Sequence, residues 1–356
     1  MRKKSSTRTK AAAKIFSDHK KRVSAMVQAG DAAGADKFIA KLRAIYLNSR
    51  DWLDKKAYDG AKSGRSPGRG AAKAEVNYTK INDFNVTKKI LIKDDDNPIF
   101  TVALPIYKSK PIAWVAFESL AMQKNIKFSW ELVIAEESHP DQIGLELSVE
   151  YLERLRKAGC KRLVYLEIDE WMPLYQKWML IHQNSSIHSS KVFMLQAADC
   201  FSQLYRLEET RHLFDKHDPD WVQSKRGYFY NIKKRKMALY DHSSLSKHAS
   251  SSMRTHPCCL NMAIKASLMG IIGEVYCKKG VDRKIYSQIE AKNGRMKVVY
   301  NESDSYLTGI DTDGYNNLST GRVSRIVHPS VPFLPPKHSL ARILPESVID
   351  KMHKIK

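Results

Sequence analysis

Hydrophobic periodicity divides the chain near residue 97. Before that point, residues 11–27 and 31–58 carry apolar side chains at three- and four-residue steps: Ile15, Val23, Met26 and Val27, then Phe38, Ile39, Leu42, Ile45, Tyr46 and Leu53. This spacing predicts two amphipathic helices, the second with Asp31 as its N-cap. The stretch 60–70, rich in Gly, Ser, Lys and Arg with one Pro, reads as a flexible cationic tether. From Asn97 onward, apolar runs of strand length alternate with helical patterns. Strands are predicted over 99–107, 130–135, 162–166 and 191–198, and helices over 111–123, 145–158 and 174–184. Farther on, 227–232 reads as a strand and 283–291 as a helix. Such alternation predicts an α/β domain with a largely parallel sheet. The expected organisation is a basic helical module and tether over 1–70, an α/β domain over 71–335 and a short tail over 336–356.

Composition adds a class and a sign. The 356 residues are 43% hydrophobic and 28% charged, which excludes a wholly disordered chain, and the formal net charge is +22. Residues 1–70 hold 18 Lys and Arg against 6 Asp and no Glu, so about half of the excess lies in the predicted helical module. An anionic partner or surface is implied. No apolar run is long enough to span a bilayer, and the basic start, Met1 to Arg8, is not followed by an apolar segment, so no secretory signal is read and a cytoplasmic location is expected. The five cysteines, Cys160, Cys200, Cys258, Cys259 and Cys277, have no CxxC spacing and read as reduced thiols.

In an open α/β sheet, ligands bind beyond the carboxyl ends of the parallel strands. The residues predicted there are Tyr107, the acidic pair Glu136 and Glu137, and Asp199. Carboxylates at such ends can accept hydrogen bonds from a base or ribose, or hold a divalent ion on a diphosphate. Neither GxGxxG nor GxxxxGK[ST] occurs, which removes the main support for a dinucleotide fold or a P-loop nucleotidase.

The order of these residues resembles that of the GT-A-class nucleotide-sugar glycosyltransferases, including those that modify bacteriophage DNA. Ala103-Leu104-Pro105-Ile106-Tyr107 is similar to the opening strand of that class, and Glu131 to Ser138 to its second strand with the terminal acid. Gln176-Lys177-Trp178 stands where the class often has a Lys-Trp-Asn helix start, and Gln196-Ala197-Ala198-Asp199 where it has an aspartate-x-aspartate metal motif, with Ala197 in place of the first aspartate. The resemblance spans roughly residues 98–330 and implies a twisted mixed sheet and a nucleoside diphosphate sugar donor, UDP preferred. It implies donor contacts at Pro105, Tyr107, Glu136, Glu137 and Lys177, a Mn²⁺ or Mg²⁺ held by Asp199 and His328, and Asp282 as the base of an inverting transfer. Read from its neighbours alone, Asp282 is equally well the N-cap of the helix 283–291.

Between Asp199 and Asp282 lies a basic aromatic segment, with Lys225, Arg226, Tyr228, Phe229, Tyr230, Lys233, Lys234, Arg235 and Lys236. Cations interleaved with rings suit a nucleic acid, the cations neutralising phosphates and the rings stacking on bases. The preferred acceptor is therefore DNA carrying a hydroxymethylated pyrimidine, flipped from the duplex; a glycan or lipid at an anionic surface is the alternative, and a non-catalytic nucleic-acid-binding protein the rival. Residues 241–257, which carry His242, His248 and His256, read as a mobile acceptor loop.

Overall fold

A computed structural model describes residues 81–107, 110–139, 142–143, 147–186, 190–224, 226–232, 236–241, 262–272, 281–301, 307–311, 341 and 344–354. All belong to one compact unit, Tyr78–Lys356. The expected helical module, tether and acceptor loop, together with Lys225, Lys233, Lys234, Arg235, His328, Cys258, Cys259 and Cys277, lie outside the described residues.

The centre is an eight-stranded mixed sheet in the order β1-β4-β3-β2-β5-β9-β6-β10, flanked by helices on both faces, the fold the sequence predicts. Its parallel middle is formed by β2 (Phe100–Ile106), β3 (Trp130–Glu137), β4 (Cys160–Ile168) and β5 (Val192–Leu195). These strands are covered on both faces, which is why they read as continuous apolar runs rather than alternating ones. β1 (Val86–Lys93) is an antiparallel edge strand on β4 with a bulge between Ile90 and Ile92. Its Lys88, Lys89 and Lys93 leave no continuous apolar run, and such charges are the usual protection of an edge. On the other side, β9 (Ala263–Lys265) runs antiparallel between β5 and β6 (Trp221–Ser224), and β10 (Val298–Asn301) runs parallel to β6.

One face is covered by α1 (Lys110–Ala121), α2 (Val149–Lys157) and α4 (Arg206–His217). The other is covered by α3 (Leu174–Asn184), the short α5 (Ala266–Met269) and α6 (Val281–Asn293). α2 begins later than predicted because Ser148 caps it, its Oγ accepting from Tyr151 N–H. Behind α2 the chain turns at Gly159 with φ +89°, where an added Cβ would come within 2.8 Å of Ile126; only glycine fits. The Trp130 indole N–H closes this turn on Ala158 O at 2.8 Å and so fixes the start of β3.

A second, three-stranded sheet in the order β11-β7-β8 comprises β7 (Arg226–Asn231), β8 (Lys236–Asp241) and β11 (Leu307–Asp311). Its Tyr228 and Tyr230 pack with Phe201, with Ile112 and Val115 of α1, and with Val348 and Met352 of α7 (Glu346–His353) in a separate core. Part of the expected tail is thus a helix with a buried face. Glu118 of α1 ties this corner together, bonded to Arg154 at 2.6 and 3.2 Å and paired with Lys351 at 3.5 Å, while Lys351 also sits 5.4 Å over the Trp114 ring.

Candidate functional site

The carboxyl ends of β2 to β6 point to one edge, and the predicted residues are distributed along it. Pro105 lies inside β2 opposite Ala135, and Tyr107 stands just beyond the strand. Glu136 and Glu137 are not a loop pair after β3; they are its last two residues and, by strand alternation, face opposite sides. Both are enclosed, at 1% and 6% exposure. Glu136 accepts from Ile143 N–H at 3.0 Å and from the Tyr165 hydroxyl at 2.9 Å. Burial and this carboxylate together push the Tyr165 hydroxyl well above the ordinary tyrosine value. Glu137 accepts from Lys177 Nζ at 2.6 Å and from Met172 N–H at 3.2 Å. The two carboxylates thus bond to Ile143 and Tyr165 and to Met172 and Lys177, groups on or after β3 and β4.

Lys177 is likewise turned inward. Its ammonium donates to Ile106 O as well as to Glu137, and lies 5.4 Å from the centre of the Tyr107 ring. Tyr107, Glu137 and Lys177, 70 residues apart at the extremes, form one knot at the ends of β2 and β3, with the two ions buried and Tyr107 half-buried. Burial is the dominant influence on both ions: it raises the Glu137 carboxyl and lowers the Lys177 ammonium, each opposed by the charge of the other.

Asp199 lies in the turn after β5, half-buried, with Cys200 Sγ 3.7 Å from Oδ1. Beside it, Ala197 is exposed. Among the described residues no three His, Cys, Asp or Glu side chains gather as a metal-binding set. A carboxylate suits Mg²⁺ or Mn²⁺ where substrate phosphates and water complete the shell, so among the described residues Asp199 fits as a protein anchor.

Asp282 is in the first turn of α6, buried, and is not the residue before the helix, which corrects its reading as an N-cap. Lys292, near the C-terminus of α6, donates to Ile271 O at 2.7 Å, and Lys297 N–H bonds Asp220 Oδ2 at 2.9 Å, beside the start of β6. Asp282 stands at the opposite end of the same helix, about 15 Å along its axis from Lys292.

The aromatic half of the nucleic-acid reading is overturned for two residues. Tyr228 and Tyr230 are 7% and 3% exposed within the third core, and the Tyr230 hydroxyl is 2.8 Å from His353 Nε2, so neither ring is presented to a base. Strand alternation is the reason: residues two apart share a face, and this face meets α1 and α7. Arg226 and Lys236 lie at the ends of the paired strands β7 and β8, opposite Asp241 and Asn231.

The sequence reading passed over Gln196, Ser202 and Arg206, whose side chains knot together beneath the Asp199 turn. A signal existed. A cation in the first turn of a helix opposes the helix dipole, and Arg206 is the first residue of α4.

No family model matches the chain. No curated protein matches it either. Among solved structures, S. aureus TarS 1-349 in complex with UDP-GlcNAc is similar at 15% identity and TM-score 0.45, over 63% of this chain and 61% of that one. The longer S. aureus TarS structure matches at 14% identity and TM-score 0.42, over 60% of this chain, which spans only 36% of its length. The mannosyltransferase PcManGT from Pyrobaculum calidifontis, in complex with GDP-Man and Mn²⁺, matches at 12% identity and TM-score 0.42, over 75% of this chain and 73% of that one.

Proposed function

We propose that the protein transfers a sugar from a nucleoside diphosphate donor to a hydroxyl group. The observation that carries this reading is the placement of Tyr107 and Asp199 just beyond the carboxyl ends of the adjacent parallel strands β2 and β5, in the chain order that the resemblance to GT-A-class enzymes implies. The nucleoside would enter beside Tyr107, against the rim that Glu136 and Glu137 hold through Ile143 and Met172. Asp199 would anchor a divalent ion, which when bound offsets the charge on the departing diphosphate. Asp282 would accept the proton of the acceptor hydroxyl as its oxygen attacks the anomeric carbon. The bond from that carbon to the diphosphate oxygen breaks on the opposite side, releasing the nucleoside diphosphate with inversion.

The net charge of +22 supports an anionic acceptor. DNA with a hydroxymethylated pyrimidine is the acceptor we put first, on charge alone now that Tyr228 and Tyr230 are accounted for in the core. An anionic glycan or lipid is the alternative; among the described residues no helix is long and apolar enough to cross a membrane.

The test is donor turnover. Full-length protein with UDP- or GDP-sugars and Mn²⁺ is expected to release the nucleoside diphosphate, and Asp199→Ala to lower the rate by at least about 100-fold, a loss within the scale of a positioned electrostatic group. Absence of release from every donor would overturn the reading, as would an Asp199→Ala protein that turns over at the wild-type rate.

A further inference from the structure

Beneath the turn that carries Asp199 lies a buried cation, Arg206, whose hydrogen bonds to Leu195, Gln196 and Ser202 shape that turn and the strand feeding it. Arg206 is 1% exposed, at the start of α4, where both burial and the helix dipole disfavour its charge. Its guanidinium donates to Leu195 O at 2.8 Å, to Gln196 Oε1 at 2.7 Å and to Ser202 Oγ at 2.7 Å. The Ser202 hydroxyl donates to the same Gln196 oxygen. With two donors converging on Oε1, the orientation of the Gln196 amide is dictated, and its NH₂ faces the other way. That NH₂ donates to Ala197 O at 3.0 Å and Cys200 O at 2.8 Å, the two carbonyls that bracket Ala198 and Asp199. The frame is tied outward as well. Gln196 N–H bonds Ala103 O of β2 at 2.9 Å, and Gln123 at the end of α1 bonds Gln203 O at 2.6 Å while accepting from Leu207 N–H at 3.1 Å.

We infer that Arg206 and Gln196 are positioning residues for Asp199: the guanidinium orients the Gln196 amide, and the amide holds the turn that aims the carboxylate. This inference rests on the transferase reading of Asp199. With Ala197 in the place of a second carboxylate, Asp199 is the anchor for the ion and diphosphate among the described residues, and the turn must supply its location. Small errors of position are expensive at such sites. Neither residue touches the donor; both act through Asp199.

Gln196→Glu separates this role from stability. It gives Arg206 a carboxylate partner and so keeps the buried cation satisfied, but replaces the NH₂ that holds Ala197 O and Cys200 O with an acceptor oxygen. Two readouts are taken on the full chain. In ligand-free protein, amide hydrogen exchange over 197–202 is expected to speed up at least tenfold in Gln196→Glu, with α1, α4 and β5 protected as in wild type. For UDP with Mn²⁺, the dissociation constant is expected to rise about tenfold, and the double variant Gln196→Glu/Asp199→Ala to bind no more weakly than Asp199→Ala alone. If Gln196→Glu does not fold, Arg206→Lys, which retains the charge but loses the fork of donors, is measured in the same way. Unchanged exchange over 197–202 would overturn the inference, and so would an affinity loss that adds to that of Asp199→Ala. Wild-type protein with no affinity for UDP or GDP, with or without Mn²⁺, would instead sink the transferase reading, while the exchange arm still decides whether Gln196 holds the turn.

Discussion

The Glu137–Lys177 pair shows how one residue's environment sets what it can do. At 2.6 Å and buried, the two ions satisfy each other, with Ile106 O accepting a second bond from Lys177 and Met172 N–H donating a second to Glu137. Removing one partner of such a pair strands the other. Lys177→Met is expected to cost about 3–5 kcal/mol at neutral pH, and Lys177→Met/Glu137→Gln less than that, measured by chemical denaturation. The pH dependence has a definite sign. Burial already raises the Glu137 carboxyl above its ordinary value of 4.5, and loss of the ammonium raises it further. A carboxyl with a raised folded value contributes stability that is complete below 4.5 and is lost as pH rises through the folded value. The penalty of Lys177→Met should therefore shrink as pH is lowered toward 4.5, and a penalty that grows on acidification would contradict the assignment.

At the scale of elements, the third core joins parts of the chain that sequence distance keeps apart. Phe201 follows the Asp199 turn, Tyr228 and Tyr230 lie on β7, and Val348 and Met352 on α7. The side of the site nearest Asp199 is thus buttressed by a helix from near the C-terminus. Tyr230→Phe removes the hydrogen bond to His353 and is expected to cost about 1 kcal/mol of stability while leaving DNA affinity unaltered. A base-stacking tyrosine would behave differently, losing about 1–3 kcal/mol of binding on removal of its ring. Thermal denaturation and a DNA titration of Tyr230→Phe and Tyr230→Ala separate the two roles.

For the whole molecule, the question is where the charge acts. Some 12 of the 22 excess positive charges fall in residues 1–70. If DNA is the acceptor, the logarithm of the binding constant should fall linearly with the logarithm of salt concentration, and deletion of residues 1–70 should flatten that slope in proportion to the phosphates released, about 0.9 per contact on duplex DNA. Negligible affinity even at low salt would exclude the DNA acceptor and leave the anionic glycan or lipid.

The strands β2 to β5 and the helix α3, with α3 bounded in the structure as in the sequence, were legible because their pattern is a local property: a strand buried on both faces must be apolar throughout, and a helix on a sheet must be apolar on one side. The positions of Tyr107 and Asp199 were legible for the same reason, since each sits where an apolar run stops. What tertiary structure alone decided is the direction in which polar side chains point. Glu136, Glu137 and Lys177 looked like groups offered to a ligand and proved to be partners of Tyr165, Met172 and Ile106; Tyr228 and Tyr230 looked like a stacking surface and proved to be core. Arg206 carried only the sign of a cation at a helix start, and Gln196 none, because hydrogen-bond complementarity is a relation between groups that the fold brings within 3 Å, and a sequence records the groups without the distances.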